Sequence, residues 1–246
     1  MLEVRLKSGS HRRLALVAAT LAFLGTAGAQ AGTGGAEAGQ APDGQPRILA
    51  TGDSMMRYTD GRLKSDLLRT QDVAFFSDIR IGTGISKTQD NWTRNAGRQA
   101  RKYLPTATVV FLGAAEGFHM PGARCCGTRW IYAYAKRVKK MIRAYARNGA
   151  HVYWLTLPAA RDTRRHRIFR SVNRGIRRAV RTSGPRAHLV NVAAVLTPRG
   201  RYRRTMHWQG QQVIVRTEDG VHLTSGGHAV VTPLIIAAMR RDGVIF

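Results

Sequence analysis

From Arg47 onward the chain alternates short apolar runs with longer stretches in which apolar residues recur at helical spacing. Ile48-Leu49-Ala50, Val73 to Ile81, Thr108 to Leu112 (TVVFL), His151 to Leu157 (HVYWLTL) and His188 to Val192 read as strands. Residues 55–69, 91–103, 129–148, 164–182 and 224–241 read as helices. Residues 201–217 read as a β-hairpin turning around Gln209-Gly210. Strands that alternate with helices predict an α/β fold, a mostly parallel five-stranded sheet covered on both faces. Sites in such sheets form at the carboxyl ends of the strands, so chemistry is expected just after each one.

Ahead of Arg47 the pattern is different. Arg5, Lys7, Arg12 and Arg13 precede an apolar run from Leu14 to about Leu24, and small residues follow as far as Ala29. That order predicts a signal peptide over residues 1–29, with Ala27-Gly28-Ala29 as its cleavage site. The other reading is an uncleaved membrane anchor, but the run is short of the roughly 20 residues a span needs. Arg12-Arg13 could be a twin-arginine signal, although the residues after it fit poorly. Residues 30–46 (QAGTGGAEAGQAPDGQP) hold almost no large apolar side chain and are expected to be a disordered linker. Residues 47–246 then form one domain. The expected localisation is outside the cytoplasm: secreted, periplasmic or wall-associated.

Composition sharpens the choice of partner. The 246 residues carry 40 Lys+Arg against 14 Asp+Glu, a formal charge of +26. Export would remove only Arg5, Lys7, Arg12 and Arg13 against Glu3, so the mature surface stays basic. Such a charge excludes a surface indifferent to anions. An exported protein meets wall polymers and lipid head groups before nucleic acid, so an anionic cell-wall polymer or an anionic lipid surface is the expected partner. Two helices order this charge. Arg167, Arg170, Arg174, Arg177, Arg178 and Arg181 share one face, opposite Ile168, Phe169, Val172, Ile176, Ala179 and Val180. Lys136, Lys139, Lys140, Arg143 and Arg147 form a second stripe, opposite Val138, Met141, Ile142 and Tyr145. Geometrically each stripe is the solvated face of a sheet-covering helix. Solvation does not explain its single sign, and polyanion docking and a plain arginine bias both stay open.

Two short motifs carry chemistry. Thr51-Gly52-Asp53-Ser54-Met55 follows the first strand, where a serine hydroxyl would be exposed and its amide would open a helix. By itself Ser54 could equally be a helix cap. Asp219-Gly220-Val221-His222-Leu223-Thr224 precedes the last helix. There the imidazole could take a serine proton while the carboxylate fixes its tautomer, or His222 could be an ordinary loop residue.

Taken together, GDS after the first strand, a glycine after the second and D-x-x-H before the last helix resemble the SGNH (GDSL-type) hydrolase family, from about Arg47 to the C-terminus. The chain is most similar to its bacterial cell-envelope members, several of which handle O-acetyl groups on polysaccharides. The resemblance implies a flavodoxin-like three-layer α/β/α sandwich and a serine esterase or acyltransferase needing no cofactor. It implies Ser54 as nucleophile, His222 as general base and Asp219 as its orienting carboxylate. In Ile81-Gly82-Thr83-Gly84-Ile85-Ser86 it implies an oxyanion-hole amide at Gly84, with Gly82 the alternative. One block departs from the family. Where G-x-N-D is expected, the chain reads Gly113-Ala114-Ala115-Glu116-Gly117. Ala115 cannot donate as the family's Asn does, and an ionised Glu116 aimed at the oxyanion would repel it. A missing donor of this kind costs about 3–4 kcal/mol of transition-state stabilisation. Arg124, His119 or a loop amide could replace it, Glu116 could be protonated or turned toward substrate, or the site could be weak or dead.

The remaining residues add less. Adjacent Cys125-Cys126 point to a vicinal disulfide, with free thiols or an intermolecular bridge as alternatives, and two cysteines exclude a Cys₄ zinc site. No metal site is expected, since there is no HExxH or paired CxxC and the eight histidines are scattered. Of Trp92, Trp130, Tyr132, Tyr134 and Trp208, Trp92 and Trp208 are the candidate sugar platforms near the site. Three readings follow: an exported esterase acting on O-acyl groups of envelope carbohydrate, a catalytically weak or inactive module binding anionic wall polymers, and a secreted nucleic-acid-binding protein. The last lacks any interleaved aromatic–basic motif.

Overall fold

The computed structural model describes residues 44–246; the signal peptide expected at 1–29 and most of the linker expected at 30–46 lie outside the described residues. Five strands, β1 (Arg47–Gly52), β2 (Ala74–Ile79), β3 (Ala107–Phe111), β4 (His151–Leu155) and β5 (Ala187–Val190), form one sheet in the order β2-β1-β3-β4-β5. Every pairing in it is parallel. The chain moves outward from β1 to β2, then returns past β1 to β3, so the order reverses between β1 and β3. This is the flavodoxin-like order, and its switch point is where ligand sites form.

Right-handed crossovers distribute the helices over two faces. Helices α2 (Trp92–Tyr103), α3 (Thr128–Tyr145) and α4 (Thr163–Arg181) pack side by side on one face. Helix α1 (Thr59–Leu68) packs with α6 (Ser225–Arg241) on the other, beside the short α5 (Val192–Leu196). The three-layer α/β/α sandwich is therefore present. β3 is buried along its whole length, as a strand covered on both faces must be. The apolar face expected for α4 is the buried one: Phe169, Val172, Ile176, Ala179 and Val180 point inward. Among the described residues no helix is long and apolar enough to cross a membrane.

The hairpin expected over 201–217 forms as β6 (Thr205–Trp208) and β7 (Gln211–Ile214). Gln209 and Gly210 both take positive φ, 49° and 78°, as a two-residue hairpin turn requires. The hairpin leans on the start of α6, where Gly227 runs so close to the Val215 carbonyl that a Cβ would collide with it. The loop between hairpin and helix is thereby clamped at both ends.

Two expectations about elements change. Helix α1 begins at Thr59 rather than at 55, because residues 54–58 are taken up by turns and Tyr58 lies in the left-handed region at φ 68°. The last core strand stops at Val190, and Val192 opens α5 instead of extending the sheet. Histidines scattered in the sequence also meet in space. At the end of the sheet where β4 and β5 begin, His151 Nδ1 lies 2.9 Å from His188 Nε2, and His188 Nδ1 lies 3.0 Å from Asp242 Oδ2. One potential ligand atom from each of the three falls within 4.8 Å of the others.

Candidate active site

The site is built at the carboxyl ends of β1 and β3. Gly52 pairs with Phe111 across these strands, and a Cβ at Gly52 would collide with the Phe111 carbonyl, so only glycine lets the strands close here. Asp53 follows and is fully buried. Its Oδ1 accepts the Met55 amide at 2.9 Å, and its Oδ2 accepts the amides of Gly113 at 2.9 Å and Ala114 at 2.7 Å. Burial raises its pKa, opposed by these amide bonds. Asp53 thus ties the loop after β1 to the loop after β3 and turns the next residue, Ser54, outward.

His222 Nε2 lies 2.8 Å from Ser54 Oγ, although the two are 168 positions apart in the chain. On its other side His222 Nδ1 is hydrogen-bonded to Asp219 Oδ2. A carboxylate on Nδ1 holds the proton there and leaves Nε2 as the acceptor facing the serine. Burial works to raise the Asp219 pKa, but bonds from the Thr217 hydroxyl, the His222 ring and the amides of Val221 and His222 outweigh it and hold the carboxyl below its ordinary range. The side chains of His222 and Asp219 are 37% and 47% exposed, so the site opens directly onto the surface.

Arg216 supports this loop, and sequence reasoning passed it over. Its side chain is fully buried, and its guanidinium donates to the carbonyls of Ala159 at 3.0 Å, Gly220 at 3.1 Å and Val221 at 2.7 Å. Burial lowers its pKa to about 10. Its one signal in the sequence is that an arginine directly continues the apolar run Val213-Ile214-Val215. Gly220 has φ 70°, and a Cβ there would strike Arg161. Arg165, also missed, donates from Nη1 to the Ala114 carbonyl at 2.8 Å.

The loops after β2 and β3 revise three expectations. The Gly84 amide donates to Asp90 Oδ2 at 2.8 Å inside a buried stretch, so it is already committed. Gly82 is exposed at φ 74°, and neither its amide nor that of Ser54 has an acceptor among the described residues. Glu116 neither faces an oxyanion nor opens toward substrate. It is buried and accepts the amides of Ile85 at 2.6 Å and Ser86 at 2.8 Å, the Ser86 hydroxyl, and the Tyr134 hydroxyl at 3.2 Å. Burial is the largest influence on it and raises its pKa. Ala115 is half-buried beside these groups, with its amide 3.4 Å from Asp53 Oδ2.

The other candidates are engaged elsewhere in the structure. His119 Nδ1 accepts the Cys125 amide at 3.0 Å. Trp92 is buried, with its indole N–H donating to Thr83 Oγ1 at 3.2 Å, so it braces the loop after β2 and offers no stacking face. Trp208 is half-buried against the core. Cys125 and Cys126 are joined in a vicinal disulfide. Ser54 also lies ahead of α1 rather than at its first turn, so individual amides, not a helix dipole, face any anion there.

Comparison with known proteins agrees with this architecture. No curated protein matches the sequence. Among solved structures, TesA superposes with a TM-score of 0.57 at 14% identity, covering 79% of this chain and 98% of its own. A GDSL-like lipase from Bacteroides thetaiotaomicron gives 0.55 at 16% identity, covering 83% and 92%. Axe2, an acetylxylan esterase from Geobacillus stearothermophilus, gives 0.53 at 12% identity, covering 79% and 94%. Residues 47–238 match the family model described as protein of unknown function (DUF459). The chain belongs to that family, and its fold is that of the SGNH, or GDSL-type, hydrolases.

Proposed function

We propose that the protein is an exported serine esterase that hydrolyses O-acyl groups, O-acetyl groups above all, on envelope carbohydrate. The observation that carries this reading is the continuous line from Ser54 Oγ through the His222 ring to the Asp219 carboxylate. As Ser54 Oγ bonds to the acyl carbon, its proton passes to His222 Nε2. Asp219, held anionic, stabilises the imidazolium. The amides of Ser54 and Gly82 receive the oxyanion. Collapse of the tetrahedral intermediate expels the sugar oxygen, which takes the proton from His222. Water then gives a proton to His222 and attacks the acyl-enzyme; the second tetrahedral intermediate expels Ser54 Oγ, which takes that proton back from His222, and the acid is released.

The acyl and glycan classes rest on supporting features. Acetylxylan esterases share the fold, and the exposed His222 and Asp219 suit a polymer better than a ligand needing full enclosure. The basic–apolar–small order of residues 1–29 supports export. The same acyl-enzyme could pass its acyl group to a sugar hydroxyl.

A second reading, a weak or inactive module that binds its ligand without turnover, is favoured by one observation: Ala115 offers no side-chain donor. A fluorophosphonate probe followed by mass spectrometry tests both. An adduct on Ser54 that disappears in His222→Ala is expected. A folded protein that takes no adduct would overturn the esterase reading in favour of the binding module.

A further inference from the structure

Helix α4 carries eight arginines and no acidic residue. Among the described residues none of these guanidiniums is paired with a carboxylate. Three have uncharged partners: Arg165 on the Ala114 carbonyl, Arg177 on Asn191 Oδ1 at 3.2 Å, and Arg178 stacked 4.0 Å from the Tyr132 ring centroid. Like charges at helical spacing repel, so this face is costly until an anion lies on it.

Four of the five arginines without such partners line a built hollow. A cavity of about 500 Å³ is walled on one side by Arg164, Arg167, Arg170 and Arg174, and on the other by His119 and Gly117. Arg170 and Arg174 also line an adjoining hollow of about 290 Å³, which adds His166, Arg177 and Arg199. Together they make a basic track along α4. One end of it reaches the loop after β3. There Gly117 packs against Ile168, and Arg165 holds Ala114, whose amide is bound by Asp53 beside Ser54.

We propose that this track is a subsite for the carboxylates of an acidic polysaccharide, which it presents, O-acylated, to Ser54. The inference rests on the esterase reading and names its substrate class. Guanidinium forks match planar carboxylates with paired hydrogen bonds, and several along one helix face suit a repeating anion better than a single small one. Nucleic acid fits less well, because no Trp, Tyr or Phe lines either hollow to stack on a base.

The test compares three esters: p-nitrophenyl acetate, O-acetylated xylan and O-acetylated polygalacturonate. The triple variant Arg167→Gln/Arg170→Gln/Arg174→Gln should raise KM for the acidic polymer about tenfold or more, with turnover of p-nitrophenyl acetate unchanged. Added salt should raise the parent's KM for that polymer and leave the variant's flat. Equal handling of the acidic polymer by parent and variant would overturn the proposal. A second measurement stands apart from catalysis: calorimetric binding of unacetylated polygalacturonate by Ser54→Ala, with and without the triple change. If no ester is turned over, the esterase reading fails while this measurement still decides the subsite. Binding lost with the arginines supports it, and absence of binding overturns it. Single-stranded DNA bound by Ser54→Ala more tightly than polygalacturonate would overturn it too.

Discussion

The carboxylate of Glu116 takes both the hydroxyl and the amide of Ser86, 30 positions away, and thereby fastens the loop after β2 to the loop after β3. The side chain that stands where an oxyanion donor's neighbour is expected has become a buried brace. The loop it holds includes Gly82, whose amide is free to meet an anion.

Replacing Glu116 by Gln should therefore damage both stability and catalysis. A carboxamide has a single acceptor oxygen and would turn an N–H toward one of the two backbone amides. A buried unsatisfied donor costs about 1–3 kcal/mol. Urea denaturation should show a loss in this range. Turnover of p-nitrophenyl acetate should fall through kcat, because Gly82 moves with the loop. Unchanged kcat in a destabilised variant would separate the brace from the oxyanion site.

Ala115→Asn tests whether that site is short of a donor. The position is half-buried beside the Asp53-bound amides, and an Asn side chain could reach toward Ser54 from it. Removing such a donor elsewhere costs on the order of 10²–10³ in rate, so adding one should raise kcat by about tenfold or more. Steady-state kinetics checks this; a fall in kcat would mean that another group already fills the space.

Arg216 should behave as a positioning residue. Arg216→Ala leaves the buried carbonyls of Ala159 and Val221 without a donor, leaves that of Gly220 only the Arg161 amide, and opens a cavity under the Asp219–His222 loop. About 3 kcal/mol of stability should go with it. Fluorophosphonate labelling of Ser54 should slow as well, because His222 loses its support. Labelling at the parent rate would show that the loop holds its shape unaided.

Acid should destabilise the fold partly through His228. Its ring is buried between α1 and α6, with Nδ1 2.8 Å from Thr59 Oγ1. Burial lowers its pKa from 6.5 to about 4. The folded state resists a proton that the unfolded chain accepts, so stability is lost as pH falls from about 6.5 to about 4 and no further below that. The full loss is on the order of 3 kcal/mol. The raised carboxyls of Asp53 and Glu116 act in the opposite sense, so the check is a difference. His228→Gln should lose less stability than the parent across that window in pH-dependent denaturation. Parallel curves would sink the assignment.

Much of this molecule is legible along the chain. Apolar period determines which stretches are strands and which face of α4 is buried, because burial of a side-chain face is a local pattern. The GDS and D-x-x-H motifs name Ser54, Asp219 and His222 as candidates, and the surplus of arginine over acid is evident before any fold. Tertiary structure alone decides where side chains and amides after the strands are directed. Whether Glu116 meets an oxyanion or Ser86, whether Gly84 or Gly82 keeps a free N–H, and whether Arg216 is buried all depend on acceptors brought by other loops. Ser54 and His222 meet because β1 and the clamped loop before α6 converge at one sheet edge. Hydrogen-bond partners chosen across such distances in sequence leave no period for the chain to display.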